Sequence, residues 1–494
     1  MTTPAWADFN VRDYGARGDG KTIDSPAINK AIEEAAAAGG GTVIVPAGDY
    51  LCGSIRLKSN ITLEIDKGAT IIAAPGAPGL YDAAEDNPEA GKYEDFGHKH
   101  WHDSLIWGDH IQNVTIKGEG KIWGKGLSRS TYKKGTTPGG NKAIALKLCQ
   151  HVNIEGITLQ HGGWFGILAT GTDDLHIDGI KEDTDRDGMD IDCCHDVTVT
   201  HCWVNSPFDD GICLKSSYGL GENRACENIT ITDDTVSGFD EGTLIDGTKQ
   251  RKVTHYDDKT PTGRIKFGTE SNGGLKHVTI SDCTFIYCRG LAIETVDGGI
   301  VEDVTATHLT MHDVQNSPIF LRLGSRLRGP EDSTSIGVMK NVTISDVTCD
   351  NADSRFGCII AGVQGHDIEN VKLSDIKIQC RGGGTPEQAN IVPPDHERDF
   401  YPEPYRWKVM PESGMYLRYV KGIELDNVSI TYAKPDYRPT FDLQNVSNAT
   451  FDKVTADRPK GVPAFVFKQV DGITTQNCAG VPDMQDHSAD LGKL

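Results

Sequence analysis

Short runs in which β-branched or aliphatic residues alternate with polar ones recur along this chain. They read Asn113-Val-Thr-Ile116, His151-Val-Asn-Ile154, Leu175-His-Ile177, Val197-Thr-Val199 and Asn228-Ile-Thr-Ile231, then His277-Val-Thr-Ile280, Asn341-Val-Thr-Ile344, Val371-Lys-Leu373 and Ile423-Glu-Leu425. A period of two with β-branched residues predicts a strand with one buried face. The best-preserved intervals, 23 and 22 residues between positions 152, 175 and 197, suit one three-strand coil of a parallel β-helix. Longer intervals then contain inserted loops. One coil cannot bury its inward side chains alone; stacking at about 4.8 Å makes a continuous apolar core and pairs all but the end edges. The pattern therefore predicts an all-β fold, a right-handed parallel β-helix, as one domain over residues 1–494. Its parts are a capping segment near 9–45, coils near 46–475, and loop insertions near 80–107 and 379–412. The cap is a helix, with Ser25 as N-cap, Pro26 in the first turn, Ile28, Ala31, Ile32 and Ala35 on its apolar face, and Gly39 to Gly41 ending it.

Composition narrows the partners. No apolar run is long enough for a membrane-spanning helix, and glycine, at 56 residues, has no collagen-like period. A net charge of −22 argues against nucleic acid and anionic membrane. A polyanionic substrate then requires positive charge concentrated in the cleft. The 13 cysteines include no C-x-x-C pair, and Cys202, Cys283 and Cys349 fall on apolar repeat positions, so they read as small core residues rather than disulfides or metal ligands. Seven Asn-x-Ser/Thr triplets, at Asn60, Asn113, Asn228, Asn341, Asn427, Asn445 and Asn448, mostly coincide with the repeat and read as structural rather than as glycosylation sites. Residues Met1 to Ala7 lack a basic start and an apolar run, which leaves two compartments open: cytoplasmic, or secreted or periplasmic after removal of a leader.

The candidate chemistry lies in two stretches, Asp185-Arg-Asp-Gly-Met-Asp190 and Phe208-Asp-Asp-Gly-Ile-Cys-Leu-Lys215. Asp209 and Asp210 follow Asp187 by 22 and 23 residues, about one coil, so stacking brings the three acids together on neighbouring strands. Clustered carboxylates on a rigid surface are what cleaving a glycosidic bond requires. A lone Asp-Gly pair carries no such weight, because Asp246-Gly and Asp297-Gly show that it also marks bends.

The opening Phe9-Asn-Val-Arg-Asp-Tyr-Gly-Ala-Arg-Gly-Asp-Gly20, with Asp24 and Ala27-Ile28, resembles the start of pectin-degrading β-helix proteins. The two aspartate stretches resemble glycoside hydrolase family 28, the polygalacturonase and rhamnogalacturonase family, whose motifs are Asn-Thr-Asp-Gly-x-Asp and, about one coil later, Asp-Asp-Cys-x-Ala-x-Lys. The resemblance covers roughly residues 9 to 460. It implies an inverting hydrolase of α-linked pectic sugars, with Asp210 as general acid and with Asp187 and Asp209 activating water. Lys215 would bind a substrate oxygen or keep one aspartate ionised. The chain also departs from the family. Gly263 stands where the family's Gly-His-Gly has histidine, and Ala292 and Glu294 stand where its Arg-Ile-Lys grips a substrate carboxylate. Arg264-Ile-Lys266 occurs about one coil earlier. Two readings stay open: Arg264 and Lys266 restore the carboxylate grip, or the subsite takes a neutral sugar whose hydroxyls bond Glu294.

Two aromatic segments read as cleft walls. Residues 93–107 hold His98, His100, Trp101, His102 and Trp107, and residues 396–407 hold Phe400, Tyr401, Tyr405, Arg406 and Trp407. Trp101 and Trp407 are candidate sugar platforms. Such walls close one end of a groove and favour an exo-acting enzyme. Arg322, Arg326 and Arg328 are further candidates for anion contact. No metal or cofactor is expected, and the expected partner is a polysaccharide or oligosaccharide. The alternatives are a lyase or epimerase on the same fold, with Asp187, Asp190 and Asp192 as conceivable calcium ligands, and a non-catalytic carbohydrate-binding β-helix.

Overall fold

The computed structural model describes residues 7–129, 139–252, 260–395 and 400–494. The opening residues 1–6 and positions 396–399 of the second aromatic segment lie outside them. Contacts divide the chain into two compact units, Met1–Thr230 with Phe239–Val253, and Ile231–Gly238 with Thr254–Leu494.

In the first unit, strands stack as three parallel ladders. One runs through Gly41–Val45, Ile61–Ile65, Gln112–Lys117, Gln150–Glu155, Asp173–Asp178 and His195–Thr200. Its register places Val114, Val152, Leu175 and Val197 in one row and Ile116, Ile154, Ile177 and Val199 in another, all buried. The second ladder includes Lys181–Asp183 and Trp203–Asn205. The third joins Ile106–Asp109, Lys142–Lys147, Phe165–Thr170, Asp187–Asp192 and Ile212–Ser216. Its strands Phe165–Thr170 and Asp187–Asp192 are buried at every position, because the segment before Ile106 lies over them: Trp101 packs on Ala145, Trp164, Phe165 and Leu168.

The helix Ser25–Ala37 buries Ile28, Ala31, Ile32 and Ala35 as the periodicity predicts. Its cap differs. Asp24 is the N-cap and Ser25 the first helical residue. The Asp24 carboxylate accepts from the backbone N–H of Arg17 and Gly18, while Ser25 Oγ accepts from Gly53 N–H, so both polar groups serve neighbouring loops rather than the helix end.

In the second unit, long strands stack in parallel: Leu275–Ser281, Ile300–His312, Val338–Ala352, Ile368–Gly382, Met415–Lys434, Phe441–Asp452 and Phe465–Gln476. Met484–Lys493 runs antiparallel along Phe465–Gln476 and covers that edge. A further ladder joins Ile265–Ser271, Leu291–Thr295, Ile319–Leu323 and Cys358–Ala361.

All seven triplet asparagines adopt left-handed backbone, with φ between 54° and 63°. Asparagine tolerates this conformation, and its side chain bonds along the stack. Asn113 donates to Asn60 (2.8 Å), Asn228 to Asp196 (3.0 Å), Asn341 to Asp303 (3.0 Å) and Asn427 to Asp375 (2.6 Å). The triplets thus mark corners of the coils. All 13 cysteines are free thiols and buried, as their apolar positions predict.

Candidate active site

The third ladder of the first unit assembles the acids. Gly188 N–H donates to the Asp210 carbonyl at 3.0 Å and Met189 N–H to the Gly211 carbonyl at 2.8 Å, so the start of one strand lies against the Asp-Asp-Gly turn of the next coil. A Cβ on Gly188 would lie 2.5 Å from the Gly211 oxygen, so only glycine permits this approach. Phe208 N–H bonds the Asp185 carbonyl (2.9 Å), and Ser206 Oγ donates to the carbonyls of Arg186 and Asp209, which fixes the turn. Asp187, Asp209 and Asp210 each offer a carboxylate oxygen within 4.8 Å of the others. The coil spacing read from the sequence brings all three together.

Their environments differ. Asp187 and Asp210 are buried, whereas the Asp209 side chain keeps 27% of its surface exposed, and the cluster opens to solvent there. Arg186 holds Asp209 at 3.1 Å and lies over the Trp164 ring at 5.1 Å. Burial pushes the Asp187 carboxyl well above its ordinary range; the charges of Asp209 and Asp190 add to this, while Lys215 and Arg186 oppose it. The nearest oxygens lie within 4.8 Å, closer than the roughly 6.5–9.5 Å between facing carboxyls of most inverting enzymes.

Behind the triad, Lys215 Nζ lies 2.9 Å from Asp190 Oδ2 and donates to His98 Nε2 at 2.8 Å, and that nitrogen is 3.2 Å from the same Asp190 oxygen. His98 is buried, its ring 4.7 Å from that of Phe165. Asp190 was legible by parity, because Met189 and Ile191 enter the core and turn it to the same side as Lys215. His98 was not; it is separated from Asp190 by 92 positions, and a lone histidine in a loop carries no register.

The calcium set considered from sequence is not assembled here. Asp190 pairs with Lys215, and the Asp192 carboxylate accepts from Ser217 N–H (2.8 Å) and Oγ (2.6 Å), so internal donors hold both. The histidines of the first aromatic segment also part: His98 meets Lys215, while His102 bonds Asp109 (2.9 Å) and stacks on Trp107 (4.1 Å). Among the described residues of this unit, two groups could hold a cation by geometry, the aspartate triad itself and His161 with Asp185 and Glu241.

The remaining sequence candidates find other surroundings. Trp101 is fully buried, with Nε1 donating to Thr170 Oγ1 (3.0 Å) and Lys147 over its ring, so it offers no open face to a sugar. In the second unit, Trp407 is buried at 3% exposure, packs on Phe320 and receives Arg322 over its ring at 5.1 Å. Both platforms are therefore corrected to packing residues, because each indole is consumed by its own segment's docking. Arg322 donates to the carbonyls of Gly362 (2.9 Å), Ala361 and Asp395. Arg326 pairs with Asp297, and Arg328 lies 3.7 Å from Glu270. Arg264, Lys266 and Glu294 do come together: the fully buried Glu294 lies 3.8 Å from each cation, which leaves no exposed carboxylate for sugar hydroxyls. Glu403, which the sequence did not single out, joins this group on Arg264 and Arg289.

Comparisons with known proteins agree with the fold. The family described as rhamnogalacturonase A/epimerase, pectate lyase-like matches residues 8–294. A probable polygalacturonase of Vitis vinifera is 24% identical over 388 residues, 74% of this chain and 73% of that protein. An exopolygalacturonase of Platanus acerifolia is 24% identical over 412 residues, 78% of this chain and 94% of that protein. Among solved structures, the exopolygalacturonase from Thermotoga maritima superposes with a TM-score of 0.60 at 20% identity, covering 76% of this chain and 87% of that one, and shares the parallel β-helix. With more than half its length matched, the chain belongs to the rhamnogalacturonase A/epimerase, pectate lyase-like family, as a glycoside hydrolase family 28-like member.

Proposed function

We propose that the chain is a polygalacturonase-like glycoside hydrolase. It hydrolyses an α-glycosidic bond in a galacturonate- or rhamnogalacturonan-type polysaccharide or its oligosaccharides, with Asp187, Asp209 and Asp210 as the reacting carboxylates. The observation that carries this reading is the convergence of the three acids within 4.8 Å from stretches a full coil apart in sequence. The relatives support the substrate class, and the name of the Platanus acerifolia relative, an exopolygalacturonase, supports release from a chain end.

The reaction needs a proton on the leaving oxygen and a water deprotonated as it attacks the anomeric carbon. Burial favours a proton on Asp187, within reach of Asp210. We assign delivery of this proton to Asp210, which takes it from Asp187, and uptake of the water's proton to Asp209 and the Asp187 carboxylate so formed. Lys215, anchored by Asp190 and His98, keeps a positive charge beside the triad.

The test is the series Asp187→Asn, Asp209→Asn and Asp210→Asn assayed on polygalacturonate. Each should lower kcat by about 10³-fold or more with Tm little changed. On an aryl glycoside with a good leaving group, only Asp210→Asn should keep substantial activity, since that bond needs little acid help. Retention by another variant moves the acid to that residue, and near-normal turnover of all three on polymer overturns the reading. NMR of the first-formed sugar should show the β-anomer; the α-anomer would contradict inversion, and an ultraviolet-absorbing unsaturated product would indicate a lyase.

A further inference from the structure

In the first unit, one loop is pinned to the end of the second ladder and brings a carboxylate to a histidine. Asp183, the last residue of the strand Lys181–Asp183, accepts from the backbone N–H groups of Gly242 (3.0 Å), Leu244 (2.9 Å) and Ile245 (3.0 Å). One coil on, Asn205 Oδ1 accepts from Phe239 N–H at 2.8 Å. Glu241 lies inside this fixed segment. His161 follows the strand Thr158–Gln160 of the preceding coil, its N–H donating to the Asp183 carbonyl (2.9 Å) and its backbone left-handed at φ 58°. Asp185, two positions beyond Asp183, completes the group. One ligand atom from each of His161, Asp185 and Glu241 lies within 4.8 Å of the other two.

The three differ in depth. Asp185 is 2% exposed and forms the floor, while the His161 and Glu241 side chains keep 23% and 27% of their surface, so the group is reached from solvent. Arg129 Nε lies 2.6 Å from Asp185 Oδ2, but Oδ1 is buried with no hydrogen-bond partner among the described residues. A carboxylate oxygen left bare in the interior costs free energy that a bound cation recovers. His161 Nδ1 and Glu241 Oε1 stand 2.6 Å apart and share a proton. Two donors bonded to one zinc ion at about 2.0–2.1 Å stand about 2.9–3.4 Å apart. An ion therefore replaces that proton and opens the pair by less than about 1 Å, with the Arg129 contact to Oδ2 left in place.

We propose that His161, Asp185 and Glu241 form a site for a divalent transition-metal ion of the zinc type, which fastens the pinned loop to the coil that carries Asp187. One imidazole with two carboxylates suits such an ion, whereas calcium and magnesium prefer oxygen ligands alone. The aspartate triad, the other group with cation geometry among the described residues of this unit, is the poorer host: it has no nitrogen donor, and Arg186 already holds Asp209 at 3.1 Å. The ion's role is to hold rather than to react. The Asp185 carbonyl accepts from Phe208 N–H (2.9 Å), so an ion on the Asp185 carboxylate also steadies the turn that presents Asp209 and Asp210. This goes beyond the hydrolase reading and does not rest on it, since binding is measured without turnover.

The experiment is calorimetric titration of Zn2+ into the chelator-stripped full chain at neutral pH. Wild type should bind one ion per chain, saturably, and an equal concentration of calcium should not compete. His161→Ala and Glu241→Gln should each weaken that site by at least about 10-fold, and Asp209→Asn should leave it intact. Zn2+ should also raise the Tm of wild type and leave that of both ligand variants unmoved. Wild-type crystals soaked in Zn2+ should show an anomalous peak between the three side chains, a result that needs no variant to fold. Binding that survives both ligand substitutions, that is lost in Asp209→Asn, or that calcium displaces equally overturns the proposal, as does a peak elsewhere or no binding at all.

Discussion

At the scale of the residue, burial and neighbouring charge decide what each acid does. Lys215 is one of two cations opposing the upward push on Asp187. Lys215→Met should therefore shift the pH–rate profile towards higher pH, because Asp187 then keeps its proton further up. His98→Gln, which loosens the lysine's anchor, should shift it less in the same sense; a profile unmoved in both would leave Lys215 and His98 with packing alone. Away from the triad, burial raises Asp442 from 3.8 to about 6. A carboxyl raised in the folded state contributes fully below its unfolded value and loses that contribution as pH rises through its folded value. Asp442→Asn should thus be more stable than wild type at pH 7 by up to about 3 kcal/mol, with the difference closing as pH falls from about 6 to 4, as read by denaturant unfolding across that range.

At the scale of the element, the corners matter as much as the strands. Asn341 sits at φ 56° and donates to Asp303 across the stack. Replacing it by Val should cost about 1–2 kcal/mol in left-handed strain, whereas Gly should cost only the lost side-chain bond, and Tm of the two variants measures the gap. These corners were legible as Asn-x-Ser/Thr triplets without their reason, which is conformational. The alternation of Val and Ile was legible with its reason, since inward positions of successive coils align in register. The docking of the aromatic segments was not. Trp101 and Trp407 look from sequence like surface platforms, and only the packing against Phe165 and Phe320 shows where their faces go.

At the scale of the whole molecule, charge opposes the proposed substrate. A chain of net charge −22 repels a polyuronate at long range even if its cleft attracts the sugar locally. Raising ionic strength from about 10 to 150 mM should therefore increase kcat/KM on polygalacturonate, because the Debye length contracts from about 30 to 8 Å. On a neutral aryl glycoside the same change should have little effect, and a fall on the polymer would show that attraction in the cleft dominates.

The sequence by itself determined the stacking period, and with it the meeting of Asp187 with Asp209 and Asp210, because a repeat of fixed length converts a distance along the chain into a neighbour in space. It also determined the buried thiols and the helix face, which follow from local period alone. Tertiary structure alone decided that His98 reaches Lys215 and Asp190, and that Glu403 fills the cradle of Arg264 and Arg289. Those contacts join residues 117 and 139 positions apart, and neither His98 nor Glu403 lies on a repeating strand, so no period gives its landing point.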